Sequence, residues 1–137
     1  MVGYGRVGRL IAQSLSAAGR PLVLIEEELD VAREAKAAGL ALVRGNATDD
    51  EVLRNAGIDH ASRLLIAIPE GFEGGAIAER ARRLNPALTI IARAHSDAEV
   101  AHLERLGADR VVMGERETAS RMFDLAGLPP PAANSAS

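Results

Sequence analysis

Short runs of apolar residues alternate along the whole chain with segments whose apolar side chains recur at helical spacing. Continuous apolar runs of this length are typical of strands covered on both faces, as in a parallel sheet. They predict strands at 21–25, 41–43, 63–68, 88–92 and 110–113, and residues 1–2 would add a short first strand.

Helices are predicted between these strands, and glycine or proline marks where they end. In the first helix, Val7, Leu10, Ile11, Leu15 and Ala18 form one apolar face, and Gly19 supplies the stop. The others are predicted at 28–38, 49–56 and 73–84, from Asp97 to Gly107, and from Glu115 to Ala126.

The resulting six β-α pairs predict the fold class. Regular alternation favours an α/β, Rossmann-like, doubly wound parallel six-stranded sheet of order 3-2-1-4-5-6, in a three-layer α/β/α arrangement. In such a fold we expect a ligand at the carboxyl ends of strands 1 and 4, where the winding reverses. The domain would span residues 1–126, and the Pro-, Ala- and Ser-rich tail 127–137 is predicted to be disordered.

Composition excludes several classes of function. The 137 residues include no cysteine, which excludes thiolate metal sites and cysteine nucleophiles. The net charge is −3 and only 2% of the residues are aromatic, with no basic patch suited to stacking bases, so no nucleic-acid partner is expected.

The sequence GYGRVG at the start of the chain is the strongest candidate motif. It places Gly3, Gly5 and Gly8 in G-x-G-x-x-G spacing, immediately before the first helix. The first glycine permits a tight turn, the second lets a pyrophosphate approach the backbone, and the third lets helix and strand pack closely. The helix beginning near Arg6 would then direct N–H groups at a phosphate.

An acidic residue follows at the position that a nucleotide ribose requires. Glu26 ends the second predicted strand, where its carboxylate can accept hydrogen bonds from ribose hydroxyls. Glu27 and Glu28 add negative charge that would repel a 2′-phosphate. The site is therefore predicted to prefer NAD or an AMP-type ligand over NADP. Nearby, Asn46 offers a donor and an acceptor to an adenine edge, and Ile68 offers an apolar wall. Taken singly, each of the two segments is equally typical of an ordinary turn between a strand and a helix.

Taken in order, GYGRVG, VLIE, GNAT, LLIAIP, IIARAH and VVMGERE resemble the TrkA-N, or regulator-of-potassium-conductance (RCK), nucleotide-binding domain, in the version carried by Kef-type potassium/proton antiporters. The resemblance covers roughly residues 1–126. It implies phosphate contacts from the glycine turn, a ribose contact from Glu26, and adenine contacts from three further residues. The turn residues are Gly3, Tyr4, Gly5, Arg6, Val7 and Gly8; the adenine residues are Asn46, Ala47 and Ile68.

The resemblance also implies a function. Domains of this family bind AMP, NAD(H) or ATP on the cytoplasmic face of the bacterial inner membrane and adjust ion flux through a membrane antiporter domain. Compared with the family, the first strand is short, so we expect this chain to be the terminal piece of a longer transporter, with a free-standing homologue as the alternative. The helix from Glu115 to Ala126 has one apolar face, formed by Ala119, Met122, Phe123 and Ala126. The resemblance implies a homodimer through this helix, and the alternative is that the face packs on its own sheet.

An enzyme is the alternative hypothesis: a small NAD-dependent oxidoreductase, or the cofactor-binding half of one. A dehydrogenase needs an acid/base group and a substrate region, and little chain remains after six β-α units. His60, His95 and His102 lack the spacing of a metal pair, and packing or solvated roles are favoured for all three. The sequence therefore predicts a binding domain with no catalytic or metal-ligating residues.

Overall fold

The computed structural model describes residues 1–129, which fold as strands and helices in regular alternation. The strands are β1 (Val23–Glu26), β2 (Ala41–Arg44), β3 (Arg63–Ile66), β4 (Thr89–Ala94) and β5 (Arg110–Met113). The helices are α1 (Arg6–Ala17), α2 (Leu29–Ala37), α3 (Asp50–Asn55), α4 (Gly71–Leu84), α5 (Asp97–Arg105) and α6 (Gly114–Leu125). A glycine with positive φ follows five of the six helices, namely Gly19, Gly39, Gly57, Gly107 and Gly127.

The strands are parallel and form two sheets, β1-β2 and β3-β4-β5. Val2 lies between the sheets and makes isolated parallel bridges to Ile25 of β1 and Ile66 of β3. Its N–H donates to the carbonyl of Leu65 at 2.8 Å, and its carbonyl accepts from the N–H of Ala67 at 2.8 Å. The predicted six-stranded order is not confirmed, because one bridging residue is too short to count as a strand.

The helices cover both faces of these strands. Leu24 of β1 packs in one apolar cluster with Tyr4, with Ala12 of α1 and with Ala35 of α2. The next residue, Ile25, faces the opposite way and joins the larger cluster contributed by α3, α4 and α5. Because side chains alternate along a strand, adjacent residues of β1 pack under different helix layers. Apart from Met1 and Tyr4 the core is aliphatic, and its largest fully buried side chains are Leu24, Leu53, Ile77, Leu88, Ile90 and Leu103.

Two parts of the chain differ from these packed layers. The last helix, α6, contains no buried residue, although the Arg116–Asp97 ion pair ties its first turn to α5.

The predicted disordered tail falls largely on residues 130–137, which lie outside the described residues. Within residues 1–129, no helix is both long enough and apolar enough to span a bilayer.

Candidate nucleotide-binding site

A cavity of about 840 Å³ opens at the carboxyl ends of β1, β2, β3 and β4. Nine of the ten residues predicted from the sequence line it, and only Gly8 does not. The nine are Gly3, Tyr4, Gly5, Arg6, Val7, Glu26, Asn46, Ala47 and Ile68. Its volume lies within the range of pockets that hold small-molecule ligands and cofactors. The structure therefore brings residues from four separate segments of the sequence to one concave site.

The three glycines of the turn have three different local environments. Gly3 has φ +95°, and a Cβ there would come within 3.0 Å of the Ile68 side chain. At Gly5 a Cβ would meet no atom within 4 Å, because this glycine faces open space. At Gly8 a Cβ would overlap the carbonyl oxygen of Gly3. The third glycine thus supports the turn from behind, while the second leaves the backbone accessible from the cavity.

Helix α1 begins directly after the turn, with Gly5 as its N-cap residue. No side chain in the described part of the chain caps this end. The N–H groups of the first turn are therefore available, and they combine with the positive end of the helix dipole. This arrangement suits a phosphate group. The exposed guanidinium of Arg6 lines the cavity at the same point.

The side chain of Tyr4 does not reach a phosphate position. It is 8% exposed and packs in the apolar cluster, with the guanidinium of Arg9 5.0 Å from its ring centroid. Arg9 also donates from Nε to the Tyr4 carbonyl at 3.2 Å and pairs with Glu34 at 2.6 Å. Its backbone N–H is also engaged, because it donates to the carboxylate of Glu26 at 2.9 Å, so Tyr4 has no free backbone donor for a phosphate.

Glu26 lies at the end of β1, and its carboxylate is held by the backbone. One oxygen accepts from the N–H of Tyr4 at 2.9 Å, and the other accepts from the N–H of Glu28 at 3.2 Å. A carboxylate has about four acceptor positions, so each oxygen retains capacity for a ribose hydroxyl. The geometry is compatible with the predicted role of Glu26.

Asn46 is more constrained than the sequence suggested. Its Oδ1 accepts from both the N–H and the hydroxyl of Thr48, at 2.9 Å and 2.7 Å. Since an amide oxygen has two lone pairs, Asn46 retains only its NH₂ group for an adenine edge. That group also lies 3.4 Å from each carboxylate oxygen of Glu27. Ala47 beside it lines the cavity but is almost fully buried, so little of its methyl group is accessible to a ligand.

Beyond the predicted site residues and the neighbouring Glu27 and Glu28, five further charged or titratable residues line the same cavity and were not predicted: Arg9, Glu70, Glu73, Arg93 and His95. Burial raises the pKa of Glu73, and the nearby carboxylates of Glu70 and Glu27 add to the effect. Arg93 and His95 follow a predicted strand, and ligands of parallel sheets bind at the carboxyl ends of strands, so their position could have indicated a place in the site. Within residues 1–129, no group of three or more His, Asp or Glu side chains is arranged to hold a metal ion.

Glu99 is a buried carboxylate that connects two loops at the cavity rim. It accepts hydrogen bonds at 2.8 Å from the N–H of Gly71, which begins α4, and from the N–H of His95, which precedes α5. The hydrogen bond from His95, with those from Gly71 and the Ser96 hydroxyl, lowers the pKa of Glu99 although burial opposes the shift. One carboxylate therefore caps α4 from another helix.

Parallel strands, helices on both faces and a glycine turn followed by an acid define a Rossmann-like α/β domain. Residues 1–114 match the model of the TrkA-N domain family. The chain belongs to this family.

Two relatives of known name are similar over most of the chain. A cation/proton antiporter of Escherichia coli (strain K12), YbaL, is 45% identical over 95% of this chain and 23% of its own length. Potassium channel protein 1 of Methanocaldococcus jannaschii is 34% identical over 80% of this chain and 34% of its own. The chain thus spans about a quarter to a third of these relatives. They are transport proteins, in agreement with the prediction that this domain is not an enzyme.

Solved structures support the same assignment. The TrkA-N domain of the inner membrane protein ybaL from Escherichia coli matches with a TM-score of 0.87 and 46% identity, over 90% of this chain and 92% of that one. The Kef C-terminal domain of Shewanella denitrificans, in its AMP-bound form, matches with a TM-score of 0.71 and 26% identity, over 92% and 78% of the two chains. The GsuK channel bound to NAD, at 20% identity and a TM-score of 0.78 over 89% of this chain and 22% of that one, shares the fold.

Proposed function

We propose that this chain is a regulatory domain that binds an adenine nucleotide, AMP or NAD(H), and thereby controls a potassium/proton antiporter. The observation that carries the proposal is the convergence of the glycine turn, the uncapped start of α1 and Glu26 on one cavity. The AMP-bound Kef domain supports the choice of an adenine nucleotide, because it has the same fold and 26% identity.

The ten residues predicted from the sequence divide by role in this proposal. The backbone N–H groups of Gly5, Arg6 and Val7 would hold the phosphate, with the Arg6 guanidinium beside it. Gly3 and Tyr4 would shape the turn, because their N–H groups already donate to the Ile25 carbonyl and the Glu26 carboxylate. Glu26 would hold the ribose, and Asn46, Ala47 and Ile68 would border the adenine. Gly8 would act through the shape of the turn, since it packs behind Gly3 rather than lining the cavity.

The partner would be a membrane antiporter domain, in the same chain or a separate one, with this domain on the cytoplasmic face of the inner membrane. The 45% identity with a cation/proton antiporter supports a cation antiporter as the partner. A nucleotide can change ion flux only if it binds two arrangements of the assembly with different affinities.

A homodimer through α6 would allow two arrangements of its subunits, which a nucleotide could bind with different affinities. This helix has no fully buried residue, and on its predicted apolar face Ala119 and Phe123 are only half-buried by its own domain in the described part of the chain. Met122 on that face is 65% exposed, and aromatic and Met side chains are favoured at interface centres. A second copy of the chain would cover it.

Nucleotide binding can be tested by thermal unfolding of the purified chain with AMP, ADP, ATP, NAD or NADH. A ligand at 100 times its dissociation constant should stabilise the fold by about 2.7 kcal/mol and raise the melting temperature. CMP at the same concentration controls for non-specific phosphate binding. If none of the adenine nucleotides raises the melting temperature more than CMP does, the proposal is wrong.

A further inference from the structure

The cavity extends beyond the glycine turn to a second arginine. Arg93, near the end of β4, reaches back over the end of β3, where its Nη1 lies 3.5 Å from the carbonyl oxygen of Ala67. Its Nη2 lies 3.4 Å from Nε2 of His95. Both distances exceed that of a strong hydrogen bond, and Arg93 has no ion pair within residues 1–129. A guanidinium has five N–H donors, so most of its donor capacity remains available.

The strand register places Arg93 on the far side of the turn from the nucleoside residues. Val2, directly before the turn, bridges to Ile66 of β3, and Ile66 pairs with Ala92 of β4. Arg93 is thus two strands from the turn, or about 10 Å at the usual strand spacing. Glu26 and Asn46 lie on the opposite side, at the ends of β1 and β2. A nucleotide with its nucleoside on that side and its first phosphate at the turn extends further phosphates towards Arg93.

The positions of the other charged groups in the cavity explain why Arg93 would matter for binding an anion beyond the turn. Of the three arginines that line the cavity, Arg9 is already paired with Glu34. Arg6 lies at the turn itself, where the first phosphate would bind. Glu70 and Glu73 also line the cavity and would repel additional negative charge. Arg93 is therefore the cationic group placed to offset that repulsion beyond the turn.

The loop that carries His95 is fixed in place. The backbone N–H of His95 donates to the buried carboxylate of Glu99, which also holds the N–H of Gly71. This anchoring limits the positions that the imidazole can take beside Arg93. A fixed pair of donors loses less conformational entropy when it binds a ligand than two mobile side chains would.

We propose that Arg93, assisted by His95, forms a subsite for the second phosphate of the bound nucleotide, counted from the adenosine. The inference rests on the proposed function, since it requires an adenine nucleotide in this cavity. AMP would bind at the turn alone, whereas ADP, ATP and NAD would also contact Arg93. The domain would thereby distinguish nucleotides by the length of their phosphate chain.

The test compares dissociation constants for AMP, ADP and NAD, measured by titration calorimetry on the full chain. Arg93→Gln should weaken ADP binding by about ten-fold or more while AMP changes by less than about two-fold, because only ADP loses a charge-assisted hydrogen bond. His95→Gln should give a smaller loss with the same selectivity. Arg63→Gln is the matched control, since Arg63 is an exposed arginine at the opposite end of β3.

Each outcome has a distinct meaning. Equal changes for AMP and ADP in Arg93→Gln, or no change for either, would overturn the subsite while leaving the proposed function intact. Failure of all three nucleotides to bind the unaltered chain would instead refute the proposed function. A selective loss for both ADP and NAD supports the subsite, whereas a loss for ADP alone would contradict the expected contact between Arg93 and the second phosphate of NAD. Should Arg93→Gln fail to fold, His95→Gln provides the same comparison.

Discussion

The carboxylate of Glu26 accepts a 2.9 Å hydrogen bond from the backbone N–H of Tyr4, which joins the end of β1 to the middle of the glycine turn. The two residues are 22 positions apart in the sequence. Glu26 therefore has two roles in the structure: it fixes the turn, and it presents its remaining acceptor positions to the cavity. Substitutions of Glu26 can separate these roles.

Glu26→Gln keeps an oxygen that can accept from Tyr4 but removes the negative charge. We expect AMP binding to weaken by about ten-fold, because hydrogen bonds to charged groups contribute about 1.5–3 kcal/mol. Glu26→Ala should weaken it further, since the turn also loses its support. Calorimetric titration measures both, with Glu104→Ala, an exposed substitution on α5, as the control. Unchanged AMP affinity in Glu26→Ala would contradict the role assigned to this residue.

The second and third glycines of the turn should respond differently to alanine. Gly8→Ala places a methyl group against the Gly3 carbonyl, and overpacking of this kind typically costs about 1–3 kcal/mol of unfolding free energy. Gly5→Ala has open space for its methyl group, so it should change stability much less but obstruct a phosphate. Denaturant unfolding and AMP titration of both variants test this contrast. If Gly5→Ala binds AMP as well as the unaltered chain does, the phosphate does not lie at Gly5.

Much of the fold could be predicted because its signals are local. Apolar runs located β1 to β5, glycines located most helix ends, and the G-x-G-x-x-G spacing with Glu26 located the cavity. The first strand was the exception, because a strand is defined by its pairing with neighbours rather than by its own residues. Only Val2 makes those bridges.

The parts that sequence reasoning missed depend on contacts between distant residues. Gly71 and Glu99 are 28 positions apart, and no periodicity links them. The hydrogen bond that the Gly71 N–H donates to Glu99 satisfies the start of α4, which begins at Gly71, two residues earlier than predicted. Arg93 and His95 were missed although they follow a predicted strand, because that position alone does not show that the Arg93 side chain extends over the end of β3 to the cavity. The constraint on Asn46 was also invisible, because its amide could equally have faced the ligand.

Glu99 predicts a specific dependence of stability on pH. Since its folded-state pKa is lowered, its carboxylate stabilises the fold above its unfolded pKa, near 4.5, and this contribution is lost as the pH falls through the folded pKa. Glu99→Gln removes the ionised group, so the variant should be clearly less stable than the unaltered chain at pH 7. The difference in unfolding free energy should shrink steadily as the pH is lowered from 5.5 to about 3.

Denaturant unfolding at several pH values measures this difference. Glu104→Gln, on the exposed side of the same helix, controls for the removal of a negative charge from α5. Other carboxylates also contribute to acid unfolding, and Asp109, whose pKa is lowered by its hydrogen bonds to the Ile90 N–H and to Arg82, is one of them. The comparison between variants removes their effect. A difference between Glu99→Gln and the unaltered chain that stays constant with pH would contradict the prediction.

The helix α6 leads to the prediction about assembly. If a second copy covers its apolar face, the unaltered chain should have about twice the 14.4 kDa mass of one chain in light scattering at tens of micromolar. Phe123→Asp should return it to the mass of one chain, because a buried unpaired carboxylate is strongly unfavourable. Phe72→Asp is a matched control, since Phe72 is the only other phenylalanine and is 58% exposed on α4. Its substitution should leave the mass at that of two chains. A mass of one chain for the unaltered protein, with and without AMP, would refute dimerisation through α6 and with it the two-subunit route to control of the antiporter.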